Sequence, residues 1–205
     1  MSLPNQLTVL RIVLTPLFAV LLTFQAITFK YASFFIFFVA SFTDWYDGYL
    51  ARKYGHITST GKYLDPLADK LLVSTAFGMF CYLGYVELWM FIAIALRDVI
   101  ITALRSYAVS KGNQIETSNF AKWKTASQML AIYFIFSWML ISEASPHQSS
   151  LLLTIGEKFN LLYNIMLFVT LYTVTSGVSY LIDNRVHLKS LAIAFYRVFV
   201  PTNVR

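Results

Sequence analysis

The sequence predicts an all-α integral membrane protein with six transmembrane helices and short interfacial helices at the termini. Apolar residues make up 58% of its 205 residues and charged residues only 13%, whereas charged residues form about 25% of an ordinary soluble domain. The apolar residues are grouped in six long stretches separated by short polar segments. Because a helix needs about 20 mainly apolar residues to cross a bilayer, each stretch predicts one span.

We expect a single membrane domain over residues 1–205. The predicted spans are 7–27, 31–54, 61–83, 88–109, 120–141 and 159–182, between an interfacial segment at 1–6 and an interfacial amphipathic tail at 184–205. Pro16 predicts a kink in the first span. Small and polar residues in the last span suit close helix packing, with a subunit interface as one use. They are Thr170, Thr173, Thr175, Ser176 and Gly177.

The distribution of charge predicts an orientation and a class of partner. The net charge is +6, which in a membrane protein indicates basic cytoplasmic loops and anionic lipid or phosphate partners, with no nucleic acid. Basic residues are concentrated in the loops on the side of the Asp44–Asp69 stretch, while Lys30 and Glu143 fall on the opposite side. The positive-inside rule therefore places both termini and that stretch at the cytoplasmic face. We expect the membrane to be a bacterial inner membrane, with an organelle membrane as the alternative.

The stretch from Asp44 to Asp69 carries the most distinctive pattern of the chain. Its special residues recur at helical spacing on two successive helix faces. The first face holds Asp44, Asp47, Gly48, Ala51 and Arg52, and the second holds Gly61, Asp65 and Asp69. A short polar turn between the helices would bring the two faces together.

Four carboxylates gathered in one place predict a metal site. The carboxylates repel one another, and each one costs about 2.5–3.5 kcal/mol when it is unpaired deep in a membrane. One or two divalent cations resolve that conflict. Because the ligands are all oxygen, with no His or Cys in the cluster, Mg²⁺ or Mn²⁺ is favoured over zinc, and a pair of such ions suits phosphoryl transfer.

Small residues beside the carboxylates predict a place for a nucleotide. Gly48, Ala51 and Gly61 let a pyrophosphate lie close to the helices, and Arg52 offers a bidentate contact to phosphate. The alternative for the small residues is tight helix packing alone.

The complete pattern Asp-x2-Asp-Gly-x2-Ala-Arg-x8-Gly-x3-Asp-x3-Asp resembles the signature of the CDP-alcohol phosphotransferase family. The resemblance implies that an alcohol attacks the β-phosphorus of a CDP-linked lipid such as CDP-diacylglycerol, with CMP as leaving group. It further implies that Asp44, Asp47 and Asp65 bind metal and that Asp69 is the catalytic base as well as a metal ligand. A homodimer is also implied.

The N-terminal sequence Leu-Pro-Asn-x-Leu-Thr-x2-Arg also resembles this family. The resemblance implies that Asn5, Thr8 and Arg11 line the nucleotide side of the site. Two structural alternatives are open, since Thr8 could cap the first helix and Arg11 could extend its side chain to the membrane surface.

Four cations predict where the acceptor alcohol binds. Arg97 and Arg105 are eight residues apart and share one helix face, while Lys122 and Lys124 open the fifth span. Their convergence on one site would be repulsive without an anion between them, so we expect an anionic acceptor. The run Arg-Asp-x6-Arg followed by Lys-x-Lys-Thr-x2-Gln resembles family members whose acceptor is sn-glycerol 3-phosphate. The alternatives are a membrane anchor for the lysines and an ion pair between Arg97 and Asp98.

Two other functions are kept as alternatives. A cardiolipin synthase of the same family shares the Asp motif but uses phosphatidylglycerol as acceptor. An ion-coupled transporter also places acidic residues within membrane helices, although broken helices and inverted repeats are not evident in this sequence.

Overall fold

The protein is a helical bundle in the computed structural model, which describes residues 3–54, 61–110, 119–144 and 151–185. Over these residues all of the regular structure is helical, which confirms the predicted all-α class. The helices are α1 (Leu3–Thr23), α2 (Ile27–Tyr54), α3 (Gly61–Tyr82), α4 (Leu88–Ser110), α5 (Asn119–Ala144), α6 (Leu151–Lys158) and α7 (Leu161–Asp183).

Six of these helices correspond to the six predicted spans, with ends within four residues of the predicted ones. Four helices, α1, α2, α5 and α7, are long and apolar enough to cross a membrane. α3 contributes a shorter apolar part, Lys70–Tyr82, and α4 carries three charged residues, Arg97, Asp98 and Arg105. Membrane crossing by α3 and α4 therefore stays a prediction.

The N-terminal end of the chain is helical where a separate interfacial segment was predicted. α1 already begins at Leu3, so Leu3–Gln6 continue directly into the first span, and α1 runs on through Pro16. The position of this segment relative to a membrane stays a prediction. From residue 186 onward, the predicted tail lies outside the described residues.

α6 is a short helix that the sequence prediction missed. It precedes α7 and is separated from it by Phe159 and Asn160. The φ of Asn160 is 47°, a left-handed conformation that Asn adopts more readily than most residues. Gly156 lets α6 approach α5, because a Cβ atom there would lie 2.0 Å from the Trp138 ring. The packing of this tight corner comes from a contact between distant residues, which local periodicity does not reveal.

The core of the bundle is aromatic. Phe18 of α1, Phe37 of α2, Phe80 of α3 and Phe136 of α5 are all fully buried. The rings of Phe80 and Phe136 meet edge to face with centroids 5.0 Å apart, and the Phe18 and Phe37 rings do so at 5.6 Å, which is the favoured geometry of aromatic pairs. Because lipid tails are as apolar as these side chains, close packing rather than exclusion of water holds such helices together in a membrane.

The two ends of the bundle carry different charges. At one end, Lys30 of α2 forms an ion pair with Glu143 of α5, which agrees with the prediction that both residues lie on the side away from the Asp motif. The other end holds the parts of α2 and α3 that carry the Asp motif, together with a cluster of charged residues.

Candidate active site

The two motif faces lie on the helices that the sequence predicts. Positions 44–52 belong to the last part of α2, and positions 61–69 open α3. Of the four predicted metal ligands, only Asp44 has a described side chain. For the other motif residues the structure describes the helix but not the side chain, so their predicted roles stay predictions. These residues are Asp47, Gly48, Ala51, Arg52, Gly61, Asp65 and Asp69.

Arg11 is the partner that the structure gives to Asp44. Its side chain is fully buried in α1, and its Nη1 atom lies 2.5 Å from Oδ1 of Asp44, a carboxylate that is about one-third exposed. The sequence alternative in which Arg11 extends to the membrane surface is therefore wrong. Since α1 packs against α2, this pair joins the N-terminal helix to the first motif face.

Thr8 is also buried, one helical turn before Arg11. It is the sixth residue of α1, which begins at Leu3, so the alternative of a helix-capping role is wrong. Of the predicted nucleotide-side group, Arg11 contacts the motif and Thr8 is buried one turn away from it, while the side chain of Asn5 lies outside the described ones, so their contact with a nucleotide stays a prediction.

Asp98 is the centre of the charged cluster at this end of the bundle. Its carboxylate is buried and accepts hydrogen bonds from Lys124 Nζ at 2.6 Å on both oxygens and from Arg97 Nη1 at 3.0 Å. The predicted convergence of Arg97 and Lys124 is therefore confirmed. The sequence alternative for Arg97, an ion pair with Asp98, is also present.

A third cation joins the cluster from the motif helix. Lys70 of α3 donates a hydrogen bond to the backbone carbonyl of Asp98 at 3.3 Å, and Thr102 donates to the same oxygen at 2.5 Å. Lys70 directly follows Asp69 in the sequence. The cluster is therefore attached to the helix turn that carries the predicted base.

These contacts correct one step of the sequence argument. The predicted cations do not need an external anion to approach each other, because Asp98 already lies between Arg97 and Lys124. Among the described contacts, however, two cations, Arg97 and Lys124, share this single carboxylate, while Lys70 binds the backbone oxygen of the same residue. Two cations on one carboxylate leave a positive excess, which still favours an anionic ligand at this place.

The structure says less about the two remaining predicted acceptor residues. Arg105 lies two turns after Arg97 on α4, and its side chain is exposed. Lys122 belongs to α5, but its side chain is outside the described ones. The structure therefore brings Arg97 and Lys124 together, while the place of Arg105 and Lys122 in the site stays a prediction.

α7 supports Arg97 from the other side. Ser176 Oγ accepts a hydrogen bond from Arg97 Nη2 at 3.1 Å, and Gly177 leaves space for the guanidinium stem, since a Cβ there would lie 2.6 Å from Arg97 Cγ. The predicted close packing of the small residues is therefore confirmed at Ser176 and Gly177, within one chain. Their role in the charged site was not predicted.

Replacing Gly177 by Ala should disturb the site by displacing Arg97. The added methyl group must shift a side chain that is held at its other end by Asp98 and Ser176, and overpacking of this kind costs about 1–3 kcal/mol. We expect a lower unfolding temperature in detergent and a weaker response to anionic acceptors. Gly78→Ala is the matched control, because its Cβ would meet Phe91 only at an ordinary 3.5 Å. Equal behaviour of the two variants would contradict this account.

Taken together, the fold and the site define a polytopic helical membrane protein whose bundle holds a buried, cation-rich site at one end. The family model for CDP-alcohol phosphatidyltransferase matches residues 1–175. The chain belongs to the CDP-alcohol phosphatidyltransferase family, as the motif predicts.

Curated relatives agree with this family. The chain is 36% identical over 143 residues to the CDP-diacylglycerol–glycerol-3-phosphate 3-phosphatidyltransferase of Bacillus subtilis, covering 64% of this chain and 74% of the relative. It is 37% identical over 136 residues to the protein of the same name from Haemophilus influenzae, covering 64% and 73%. The Escherichia coli K12 protein of that name is 35% identical over 144 residues, covering 68% and 76%.

Proposed function

We propose that this protein transfers the phosphatidyl group from CDP-diacylglycerol to sn-glycerol 3-phosphate and releases CMP, as a step of phospholipid biosynthesis. The observation that carries the choice of acceptor is the cluster of Lys70, Arg97 and Lys124 around Asp98. A phosphate monoester carries up to two negative charges and several hydrogen-bond acceptors, which suit a site rich in ammonium and guanidinium donors. The names of the bacterial relatives specify the same two substrates.

The reaction requires one bond to form and one to break at the β-phosphorus. A hydroxyl oxygen of the acceptor forms the new P–O bond, CMP departs with the electrons of the old one, and Asp69 receives the hydroxyl proton. The contact of Lys70 with Asp98 supports this division of roles, because it connects the helix of the proposed base to the proposed phosphate site. Held at both ends, the acceptor would present its hydroxyl in a fixed orientation, which is a major source of rate enhancement.

We further propose that Mg²⁺ or Mn²⁺, as two ions, is bound by Asp44, Asp47, Asp65 and Asp69. The oxygen-only donor set fits these hard cations, and the one described ligand, Asp44, is partly exposed and so accessible. When bound, the ions would neutralise charge on the transferring phosphoryl group. Gly48, Ala51, Arg52 and Gly61 would contact the CDP moiety, together with Asn5, Thr8 and Arg11.

The membrane arrangement is part of the same proposal. α3 and α4 would cross the bilayer with the four clearly apolar helices, giving six spans with the Asp motif at the cytoplasmic face of a bacterial inner membrane. The basic loops on that side support the orientation. A homodimer is proposed on the family resemblance.

The proposed function is tested by measuring CMP release from CDP-diacylglycerol with Mg²⁺. The purified protein is offered sn-glycerol 3-phosphate, phosphatidylglycerol, inositol phosphate or serine in separate reactions. Release with sn-glycerol 3-phosphate alone is expected. Release with phosphatidylglycerol alone would assign the protein to the cardiolipin synthases, and no release with any acceptor, combined with ion flux in liposomes, would favour the transporter alternative.

Replacing Arg105 by Ala should selectively weaken binding of the acceptor. A hydrogen bond to a charged group contributes about 1.5–3 kcal/mol, so we expect the KM for sn-glycerol 3-phosphate to rise about 10- to 100-fold, with little change in the KM for CDP-diacylglycerol. Lys158→Ala is the matched control, because it removes another exposed cation that lies at the opposite end of the bundle, before α7. An unchanged acceptor KM in Arg105→Ala would remove Arg105 from the site.

A further inference from the structure

We propose that Asp98 is a positioning residue that arranges the cations of the acceptor site for phosphate binding. This inference rests on the proposed function. Asp98 was not predicted to belong to the site, yet the side chains of Lys70, Arg97 and Lys124 all donate hydrogen bonds to it. Its side chain is only 7% exposed, so its interactions are those of the bundle interior.

The contacts of Asp98 connect three helices. Its carboxylate binds Arg97 from its own helix, α4, and Lys124 from α5, while its carbonyl oxygen binds Lys70 from α3. Each of these side chains is long and flexible, and in water it would populate many rotamers. Fixing these rotamers before the substrate arrives removes an entropic cost that binding would otherwise include.

The geometry also leaves donors for a ligand. Lys124 uses two of its three N–H donors on the two oxygens of Asp98, and a lysine ammonium has a third. Lys70 approaches the backbone oxygen of Asp98 rather than its carboxylate. The single carboxylate therefore holds two cations, Arg97 and Lys124, and cannot neutralise both charges.

Ser176 completes the arrangement by fixing the far end of Arg97. Arg97 donates Nη1 to Asp98 and Nη2 to Ser176, so its guanidinium is held between α4 and α7. A buried charge that is held in this way needs no reorganisation when an anion binds.

The experiment compares Asp98→Asn, which keeps the shape and removes the charge, with Asp98→Glu, which keeps the charge. At saturating CDP-diacylglycerol, we expect Asp98→Asn to raise the KM for sn-glycerol 3-phosphate by about tenfold or more. Without the negative charge of Asp98, at least one cation is no longer held in place, and its contact with the acceptor phosphate is weakened. The KM for CDP-diacylglycerol should stay near the wild-type value, and Asp98→Glu should recover part of the acceptor affinity. A merely structural role would change both KM values or only the amount of folded protein. A folded Asp98→Asn variant with an unchanged or lower acceptor KM would overturn the proposal.

A second comparison covers the case in which Asp98→Asn does not fold. Arg97→Met and Lys124→Met together remove both partners of the carboxylate, and Asp98→Asn is then added to them, which avoids leaving an unpaired charge on either cation. If Asp98 acts through these two cations, the triple variant should have nearly the same acceptor KM as the double variant Arg97→Met, Lys124→Met. A much larger KM in the triple variant would show that Asp98 acts by another route and would reject the proposal.

Turnover by the wild-type protein distinguishes a failure of the proposed function from a failure of the proposed role of Asp98. Absence of wild-type turnover with sn-glycerol 3-phosphate would reject the proposed function. Wild-type turnover together with an unchanged KM in Asp98→Asn would reject only the role of Asp98.

Discussion

Replacing Asp69 by Asn is expected to nearly abolish turnover while leaving the binding of CDP-diacylglycerol largely intact. The amide keeps the volume of the side chain but cannot accept the proton of the attacking hydroxyl. General-base catalysis contributes about 10²–10⁴-fold to enzymatic rates, and loss of a metal ligand would add to this effect. We therefore expect kcat to fall by at least about 10²-fold.

The measurement is kcat from CMP release, together with binding of CDP-diacylglycerol at equilibrium. Asp183→Asn is the matched control, because it makes the same chemical change at an exposed position at the end of α7. Near-normal turnover in Asp69→Asn would exclude Asp69 as the base and would redirect attention to another carboxylate of the motif.

Replacing Asp44 by Asn should cost both activity and stability. Arg11 is fully buried and lies 2.5 Å from Asp44, whereas Asp44 is about one-third exposed. Removing the carboxylate therefore takes a 2.5 Å ion-pair contact away from the more deeply buried charge, and breaking a buried pair in this way costs about 3–5 kcal/mol. For a chain of this size, such a loss lowers the unfolding temperature by roughly 10 °C or more.

Thermal unfolding in detergent tests this asymmetry. Arg11→Met should destabilise the protein less than Asp44→Asn, because the carboxylate left behind keeps contact with water. The double variant, Arg11→Met with Asp44→Asn, should be more stable than Asp44→Asn alone. If Asp44→Asn unfolds at the wild-type temperature, the pair does not contribute to the stability of the bundle.

The helices could be predicted from the sequence because each is encoded locally. Long apolar runs define the six main helices, and the offsets of Asp44, Asp47, Asp65 and Asp69 place those residues on helix faces. The packing of the bundle was not predicted in this way. Which aromatic ring meets which, as for Phe80 and Phe136, depends on contacts between residues far apart in the sequence.

The candidate site shows the same division. Arg97 and Lys124 lie on different helices, and they were assigned to one site because the run Arg-Asp-x6-Arg followed by Lys-x-Lys-Thr-x2-Gln resembles family members with an anionic acceptor. Asp98 was noticed only as a neighbour of Arg97, because its main contact is with Lys124, 26 residues later. The contact between Arg97 and Ser176 spans 79 residues, and the only sequence signal for it is the group of small residues in α7.

Some mistaken alternatives have a simple physical origin. A Thr or Arg near the start of a membrane helix commonly caps the helix or reaches the membrane surface, and both were weighed for Thr8 and Arg11. In the structure both side chains are buried. The partner that accounts for Arg11 is Asp44, which is supplied by a different helix.

The central claim is that the cluster around Asp98 selects an acceptor by its phosphate group. The most direct measurement is the ratio of kcat/KM for sn-glycerol 3-phosphate to that for glycerol, which has the same reactive hydroxyl but no phosphate. Two charged contacts to the phosphate would contribute about 3–6 kcal/mol, so we predict a ratio of about 10²–10⁴ that falls sharply in Asp98→Asn. Similar values for the two acceptors would contradict the claim.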